Sequence, residues 1–192
     1  MTIKLEGNWD KGFAFDVHTL ESIPIGPNEY GYEQFDTTYS EMGGYVYKLK
    51  YKNDKSAIKK IVDLLSKYKG IDKFDAIIPV PSSKKNRPYQ PVDEIAQELG
   101  KRRRVDVLIG LLEKRDGGKE LKNITDPVER IKELKKVISL SSKINVSGQK
   151  VLLLDDLYRS GATLSASTDI LYNQGKVSNV CVLTMTKTRS KR

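Results

Sequence analysis

The chain has 192 residues, of which 38% are hydrophobic and 31% are charged. It is too apolar for a disordered protein and long enough for one domain with a small addition. The formal net charge of +9 attracts polyanions such as nucleic acids and phosphorylated metabolites without selecting among them. No apolar run approaches the roughly 20 residues of a membrane span, and residues 1–10 lack the apolar stretch of a secretory signal. We therefore expect a cytoplasmic protein without membrane association.

Residues 1–44 differ in composition from the rest of the chain, since they are rich in Gly, Pro, Tyr and Asn and have few helical signals. Within them, Phe13–Val17 fits a short strand and Pro24–Asn28 fits a turn. We predict a small irregular hood or add-on over residues 1–44, a core domain over 45–188 and a basic tail over 189–192.

From Tyr45 onwards, strand and helix patterns alternate along the chain. The predicted strands are Tyr45–Tyr51, Phe74–Val80, Val105–Leu112, Val151–Leu154 and Val180–Met185, the last of which holds the single cysteine, Cys181. The predicted helices are Lys55–Lys69, Val92–Leu99, Pro127–Lys136 and Thr163–Asn173, with Asp54 and Asp126 as N-caps and with Gly100 and Gly175 as terminators. This alternation predicts an α/β fold with a mostly parallel sheet flanked by helices, in which ligands bind beyond the carboxyl ends of the strands.

The segment Val151–Leu164 carries the clearest chemical signal. Four apolar residues lead into Asp155 and Asp156, and the turn that follows contains Ser160, Gly161 and Thr163. Backbone N–H groups at a helix start bind phosphate, and a glycine lets the phosphate approach closely. Carboxylates accept hydrogen bonds from vicinal hydroxyls, directly or through Mg²⁺ and water. Together these features predict a ribose 5-phosphate site.

These residues resemble the motif that binds 5-phosphoribosyl-1-pyrophosphate (PRPP) in type I phosphoribosyltransferases. The resemblance extends over about residues 44–186 towards the ComF-like, or amidophosphoribosyltransferase-like, branch of that superfamily. It is carried upstream by Lys48-Leu-Lys-Tyr51, Ile78-Pro-Val-Pro81, Arg87-Pro-Tyr-Gln and Glu129-Arg130. The chain lacks the cysteine zinc ribbon with which that branch usually opens, and Pro88, Gln90, Pro91 and Glu133 depart from its pattern.

The resemblance implies a Mg²⁺-dependent transfer of phosphoribose from PRPP to a nitrogen nucleophile that the sequence does not identify. By carry-over, the 5′-phosphate would be held by Tyr158, Arg159, Ser160, Gly161, Ala162 and Thr163. The pyrophosphate would be held by Ser82, Ser83 and Lys84. Asp155 and Asp156 would hold the ribose hydroxyls and, through these or water, the metal, and Arg87 is the third candidate catalytic residue. The basic segment Arg115–Thr125 is the candidate mobile lid.

Two alternatives stay open at this point. The same fold could sense PRPP or a nucleotide without turnover, or it could serve a ComF-like DNA-associated protein whose basic surface binds single strands. The run Lys101–Arg104 fits either a favourable helix C-terminus or a patch for a polyanion or protein partner. The only histidine, His18, lies outside the matching segments and is expected to have a surface or packing role. A homodimer is common among such proteins.

Overall fold

The computed structural model describes residues 2–82, 89–115 and 123–189. Its strands are β1 (Ile3–Lys4), β2 (Lys11–Val17), β3 (Thr19–Pro27), β4 (Glu33–Tyr39), β5 (Ala76–Pro79), β6 (Asp106–Val107), β7 (Leu112–Lys114), β8 (Ile138–Leu140), β9 (Lys150–Tyr158) and β10 (Asn179–Lys187). Its helices are α1 (Glu41–Tyr51), α2 (Ser56–Leu65), α3 (Pro91–Arg103), α4 (Pro127–Val137) and α5 (Ala162–Asn173). No helix in these ranges is long and apolar enough to cross a bilayer.

The central sheet has the strand order β1-β2-β10-β9-β5-β6. All neighbours in it are parallel except β1, which is antiparallel to β2. The register pairs Lys187 of β10 with Tyr158 of β9 on one side and with Val17 of β2 on the other. The carboxyl ends of these three strands therefore meet at one edge of the sheet. The predicted α/β fold with a mostly parallel sheet is confirmed.

Helices cover both faces of the sheet, and β9 divides its side chains between them. Leu152 and Leu154 pack in the core formed with α1, α2 and α3, whereas Val151 and Leu153 pack in the core formed with α4 and α5. All four side chains are fully buried, as the continuous apolar run predicts for a strand covered on both faces. Cys181 is also buried, and burial raises the pKa of its thiol to about 11.

The strand predicted over Tyr45–Tyr51 is wrong, because these residues belong to helix α1. The Ser40 hydroxyl caps the helix by accepting a hydrogen bond from the Gly43 N–H at 3.0 Å. Met42, Val46 and Leu49 then form its buried face, with the spacing of a helix. Alternate residues of the segment are tyrosine or leucine, so the sequence also fits a strand, and only the preceding residues reveal the helix.

Residues 3–39 divide into two structurally different parts. Strands β1 and β2 belong to the central sheet, and β2 lies against β10. Strands β3 and β4 form a separate two-stranded hairpin that leaves the sheet directly after β2. The turn predicted at Pro24–Asn28 lies mostly within β3, and the chain reverses instead at residues 28–32. There the Asn28 side-chain oxygen accepts hydrogen bonds from the N–H groups of Tyr30 and Tyr32.

Several predicted boundaries also shift. Helix α3 passes through Gly100 and ends at Arg103, and its C-cap residue Arg104 has a left-handed backbone with φ of 56°. The strand predicted over Val105–Leu112 is interrupted, since β6 has only two residues and β7 leaves the sheet to pair with β8. Helix α4 begins as predicted, because the Asp126 carboxylate caps it by accepting from the Glu129 N–H at 2.7 Å.

Candidate functional site

The segment that joins β9 to α5 forms a tight turn at the carboxyl edge of the sheet. Strand β9 continues past both aspartates to Tyr158, and Gly161 precedes the first residue of α5 with φ of 75°. A Cβ atom at Gly161 would lie only 2.7 Å from the Tyr158 ring. Both the left-handed backbone and the close ring therefore require glycine at this position.

Helix α5 begins without a side-chain cap from Gly161. The Ser160 hydroxyl accepts from the Ala162 N–H, but only at 3.4 Å. Because the first N–H groups of a helix have no partner within the helix, this end offers donors and a positive dipole to an anion. This end of α5 therefore has the chemistry of a phosphate site.

A first cavity of about 420 Å³ opens around this turn. It is lined by Asp155, by every residue of the turn from Leu157 to Leu164, and by Ile124, Thr125 and Arg130 from the α4 side. The Arg130 guanidinium donates to the Ile124 carbonyl at 3.1 Å. The cavity thus combines a helix N-terminus, hydroxyl groups and guanidinium groups, as a bound phosphate requires.

A second cavity of about 430 Å³ lies next to the first. Its polar lining includes Lys50 from α1, Ser82 from the segment after β5, Asp93 from α3, and both aspartates of β9. Asp155, Arg159 and Thr163 line both cavities. The two cavities therefore meet at the end of β9, and a single extended ligand could occupy both.

The Asp155 carboxyl is the most perturbed acid at this site. Its burial and the neighbouring negative charge of Asp156 raise its pKa to about 8, whereas the positive charges of Lys50 and Lys114 act in the opposite direction. The Asp156 N–H donates a hydrogen bond to the Asp155 side chain at 2.8 Å, and this bond partly offsets the rise in the pKa of Asp155. Asp155 is therefore mostly protonated at neutral pH in the absence of a ligand.

Asp156 has a different environment. Its carboxylate lies 2.8 Å from the Lys50 ammonium, with both side chains largely buried. Its carbonyl accepts from the Thr186 hydroxyl at 3.0 Å, so that hydroxyl accepts in turn from His18 Nδ1 at 3.1 Å. Burial and the charge of Lys50 lower the pKa of His18, which is therefore neutral near pH 7. The two adjacent aspartates thus lie in different electrostatic environments.

The residues present fit Mg²⁺ as a partial site. Carboxylate oxygens are the ligands that Mg²⁺ prefers, and it is commonly held by one or two carboxylates plus substrate phosphate oxygens. A divalent cation beside Asp155 would also favour the ionised form of that carboxyl, which burial and the repulsion from Asp156 disfavour. No cluster of three or more His, Cys, Asp or Glu residues suited to a metal occurs among the described residues. A metal here would therefore take most of its remaining ligands from a bound phosphate compound and water.

The structure brings most of the predicted site residues together. Tyr158, Arg159, Ser160, Gly161, Ala162 and Thr163 line the first cavity, and Ser82, Asp155 and Asp156 line the second. Ser83, Lys84 and Arg87 lie outside the described residues, as does most of the predicted lid at 115–125. The roles assigned to all these residues stay predictions.

Two charged residues of the second cavity, Lys50 and Asp93, had no predicted role. In the sequence, Lys50 belongs only to a segment that resembles the ComF-like branch, and that segment was predicted to be a strand. The contact of Lys50 with Asp156 depends instead on helix α1. Asp93 lies in the first turn of α3, where burial and the nearby Glu94 raise its pKa. The sequence position of Asp93 could have predicted a role. Asp93 is a polar residue in the first turn of a helix that follows a sheet strand, where ligands bind in such folds.

No protein-family model and no curated protein sequence matches the chain, but several solved structures do. An adenine phosphoribosyltransferase from Thermoanaerobacter pseudethanolicus aligns over 88% of this chain and 95% of its own, with 19% identity and a TM-score of 0.48. One from Saccharomyces cerevisiae aligns over 86% and 83%, with 16% identity and a TM-score of 0.45. An orotate phosphoribosyltransferase from Aeropyrum pernix aligns over 87% and 77%, with 14% identity and a TM-score of 0.46. These similarities are distant, and function has to be inferred from the site itself.

Proposed function

We propose that this protein is a Mg²⁺-dependent phosphoribosyltransferase that binds PRPP and transfers its phosphoribose to a nitrogen nucleophile. The observation that carries the proposal is the meeting of two polar cavities at Asp155 and Thr163. PRPP has one ribose that carries a phosphate on C5′ and a pyrophosphate on C1′. A ligand of that form suits two adjoining anion sites with carboxylates between them.

The 5′-phosphate is assigned to the first cavity. The N-terminus of α5 supplies backbone donors and a positive dipole, and Ser160 and Thr163 supply hydroxyl groups. Arg130 and Arg159 add positive charge to the same lining. The Tyr158 ring contacts the space beside Gly161 and so sets the shape of the turn.

The pyrophosphate is assigned to the second cavity, next to Lys50 and Ser82. Ser83, Lys84 and Arg87 are proposed to complete this end, as the sequence resemblance implies. Asp155 and Asp156 lie between the two ends and would accept hydrogen bonds from the ribose 2′- and 3′-hydroxyls. The same carboxylates would hold Mg²⁺ through the hydroxyls or through water.

In the proposed reaction the bond between ribose C1′ and the pyrophosphate oxygen breaks, and pyrophosphate leaves with the bonding electron pair. A nitrogen lone pair forms the new bond to C1′, and the nitrogen loses a proton. Lys50 would stabilise negative charge that develops on the leaving group, and the turn would fix the ribose. Mg²⁺, when bound, would supply further charge neutralisation of the pyrophosphate.

The assignment to the ComF-like branch stays a prediction, and the proposal does not identify the acceptor. A protein that senses PRPP without turnover would use the same two cavities, because binding and positioning need the same residues. Turnover alone separates the two functions.

Binding of the two halves of PRPP tests the two-cavity arrangement. We expect ribose 5-phosphate and inorganic pyrophosphate with Mg²⁺ to bind separately, and each to be displaced by PRPP. Gly161→Ala should weaken ribose 5-phosphate selectively, and Lys50→Met should weaken pyrophosphate selectively. Equal effects of both variants on both halves would contradict the assignment.

Pyrophosphate release in the presence of PRPP, Mg²⁺ and a panel of purines, pyrimidines and simple amines tests turnover. Release that depends on one acceptor and is lost with the Asp155→Asn, Asp156→Asn double variant identifies the enzyme. Tight PRPP binding without release from any acceptor supports the sensor instead.

A further inference from the structure

Asp93 supplies a carboxyl group to the second cavity and has no role in the reaction described so far. It lies in the first turn of helix α3, and its side chain is half-buried. Among residues 2–82, 89–115 and 123–189, no hydrogen bond or ion pair holds this carboxyl. Most polar groups that are removed from solvent have such a partner. The Asp93 carboxyl is therefore available to a ligand that enters the cavity.

Capping of helix α3 does not account for the position of Asp93. Asp126 shows what capping requires, because its carboxylate accepts a hydrogen bond from the Glu129 N–H at 2.7 Å. The Asp93 carboxyl accepts from no backbone N–H in the described ranges. An acid in the first turn also interacts favourably with the helix dipole, but Glu94 in the same turn does so without lining the cavity. Contact with a ligand explains why Asp93 faces the cavity, and helix stability does not.

The electrostatic environment of Asp93 differs from that of the aspartates of β9. Burial and the negative charge of Glu94 raise the pKa of Asp93. The positive charge of Lys50 lowers the pKa of Asp155, but no described cation acts in this way on Asp93. Lys50 is therefore remote from Asp93, although both line the same cavity. The pyrophosphate is assigned beside Lys50, and the space beside Asp93 does not suit a phosphate because like charges repel each other.

The second cavity also has an apolar lining that suits an organic ligand. Its apolar side chains come from α1, from the end of β5 and from the start of α3, and they are Tyr51, Val80, Pro81, Pro91 and Val92. The last two directly precede Asp93 in the chain. An apolar wall with one carboxylate that has no protein partner binds a compound by contact with its body and by a hydrogen bond from its N–H group. The same carboxylate disfavours a compound with negative charge.

We propose that Asp93 is a further catalytic residue, which binds the acceptor and takes its proton; this inference rests on the proposed phosphoribosyl transfer. The acceptor is an organic nitrogen compound that has an N–H group and no negative charge. The nitrogen lone pair forms a bond to ribose C1′ while the bond from C1′ to the pyrophosphate oxygen breaks, and pyrophosphate leaves with that electron pair. The proton of the nitrogen passes to the Asp93 carboxylate and then to water.

The support of helix α3 makes Asp93 a suitable position for this role. Ile95, Ala96 and Leu99 are fully buried on the helix face that packs against the core. A catalytic group on a helix that is anchored in this way keeps a fixed position relative to its substrate. The separation of Asp93 from Lys50 also places the proton acceptor away from the leaving group. A displacement at C1′ requires this separation, since the nucleophile approaches from the side opposite the group that leaves.

Pyrophosphate release and titration calorimetry of PRPP with Mg²⁺, both on the full chain, test the role of Asp93. Asp93→Asn keeps the shape of the side chain and removes the base, so kcat should fall by at least about a hundredfold. PRPP should bind to this variant at least as tightly as to the wild type, because a negative charge has left a cavity that binds an anion. A merely structural role would weaken binding together with kcat. Glu98→Gln, on the same helix but outside the cavity lining, is the control and should retain both.

Asp93→Glu separates loss of the base from loss of shape. It retains a carboxylate, and we expect it to recover much of the rate that Asp93→Asn loses. An unchanged kcat in Asp93→Asn, or a loss of PRPP affinity as large as the loss of kcat, overturns the proposal.

The charge of the acceptor is tested with the wild type and three probes. Adenine is uncharged and ethylamine is cationic near pH 7, whereas orotate has a carboxylate. We expect release of pyrophosphate with adenine or ethylamine and none with orotate; release with orotate alone overturns the proposal. Release that does not depend on Asp93 removes the role of Asp93 and leaves the transferase in place. Tight PRPP binding by the wild type without release from any acceptor instead contradicts the transferase itself, and the role of Asp93 with it.

Discussion

The Lys50 ammonium lies 2.8 Å from the Asp156 carboxylate, joining helix α1 to the end of strand β9. Asp155, the preceding residue, makes no such ion pair among the described residues and lines both cavities. One aspartate is therefore held in an ion pair, whereas burial and its charged neighbour raise the pKa of the other to about 8. Lys50 thus makes a pair of identical residues chemically different.

Lys50→Met should weaken binding of PRPP with Mg²⁺ by about ten- to a hundredfold, since it removes a cation from the pyrophosphate cavity and leaves Asp156 without its partner. Titration calorimetry measures the change. Lys48→Met, on the same helix but outside the cavity lining, is the control and should bind normally. Equal affinities for the Lys50 variant and the wild type would remove Lys50 from the site.

Gly161→Ala should weaken binding of ribose 5-phosphate by at least about tenfold, because the added methyl group meets the Tyr158 ring and distorts the turn. Gly148→Ala is a matched control, since Gly148 has the same φ of 75° and nothing within 4 Å of its Cβ position. Both variants should lose about 1–2 kcal/mol of folding free energy from the left-handed backbone. Only the first should lose the ligand, and loss in both would indicate a general stability effect.

The contribution of Asp155 to the stability of the free protein should fall as pH rises from about 4 to about 8. The pKa of Asp155 is near 3.8 when unfolded and about 8 when folded, so within this window the folded state holds one proton more than the unfolded state. Higher pH therefore favours unfolding. Thermal unfolding of Asp155→Asn should show a flatter pH dependence in that window, whereas Glu113→Gln should follow the wild type. Identical slopes in all three proteins would contradict the burial of this carboxyl.

Binding of PRPP with Mg²⁺ should release protons near pH 7. Hydroxyl groups and a divalent cation favour the ionised form of Asp155, so binding displaces its proton and the affinity rises with pH until about 8. Calorimetry in two buffers with different ionisation enthalpies measures the number of protons released. PRPP itself titrates, so the Asp155→Asn variant provides the reference, and equal proton release from both proteins would contradict this role.

Much of the fold could be predicted because it follows from local patterns. The apolar run Val151–Leu154, the Asp126 cap and the turn before α5 each depend on neighbouring residues, and each lies where it was predicted. The pairing of β2 with β10 joins opposite ends of the chain, and nothing in the short segment Phe13–Val17 specifies that partner. The separation of the hairpin from the sheet depends on the same long-range pairing.

The candidate site shows the same division. The turn residues Ser160 to Thr163 and the two aspartates are contiguous, so their spacing predicts that they act together. The Lys50 contact and the raised pKa of Asp155 arise from packing between distant elements. The spacing of residues in the sequence does not predict such packing. The alternating tyrosines of α1 also favoured a strand where Lys50 lies in a helix.

Calorimetric titration of PRPP in the presence of Mg²⁺ into the wild type and into the Asp155→Asn, Asp156→Asn double variant tests the proposed site most directly. Both proteins must first show the same folded circular dichroism spectrum. The predicted result is saturable one-to-one binding by the wild type and an affinity at least about a hundredfold weaker in the double variant. The absence of wild-type binding at millimolar PRPP, or equal affinity in the two proteins, would contradict it.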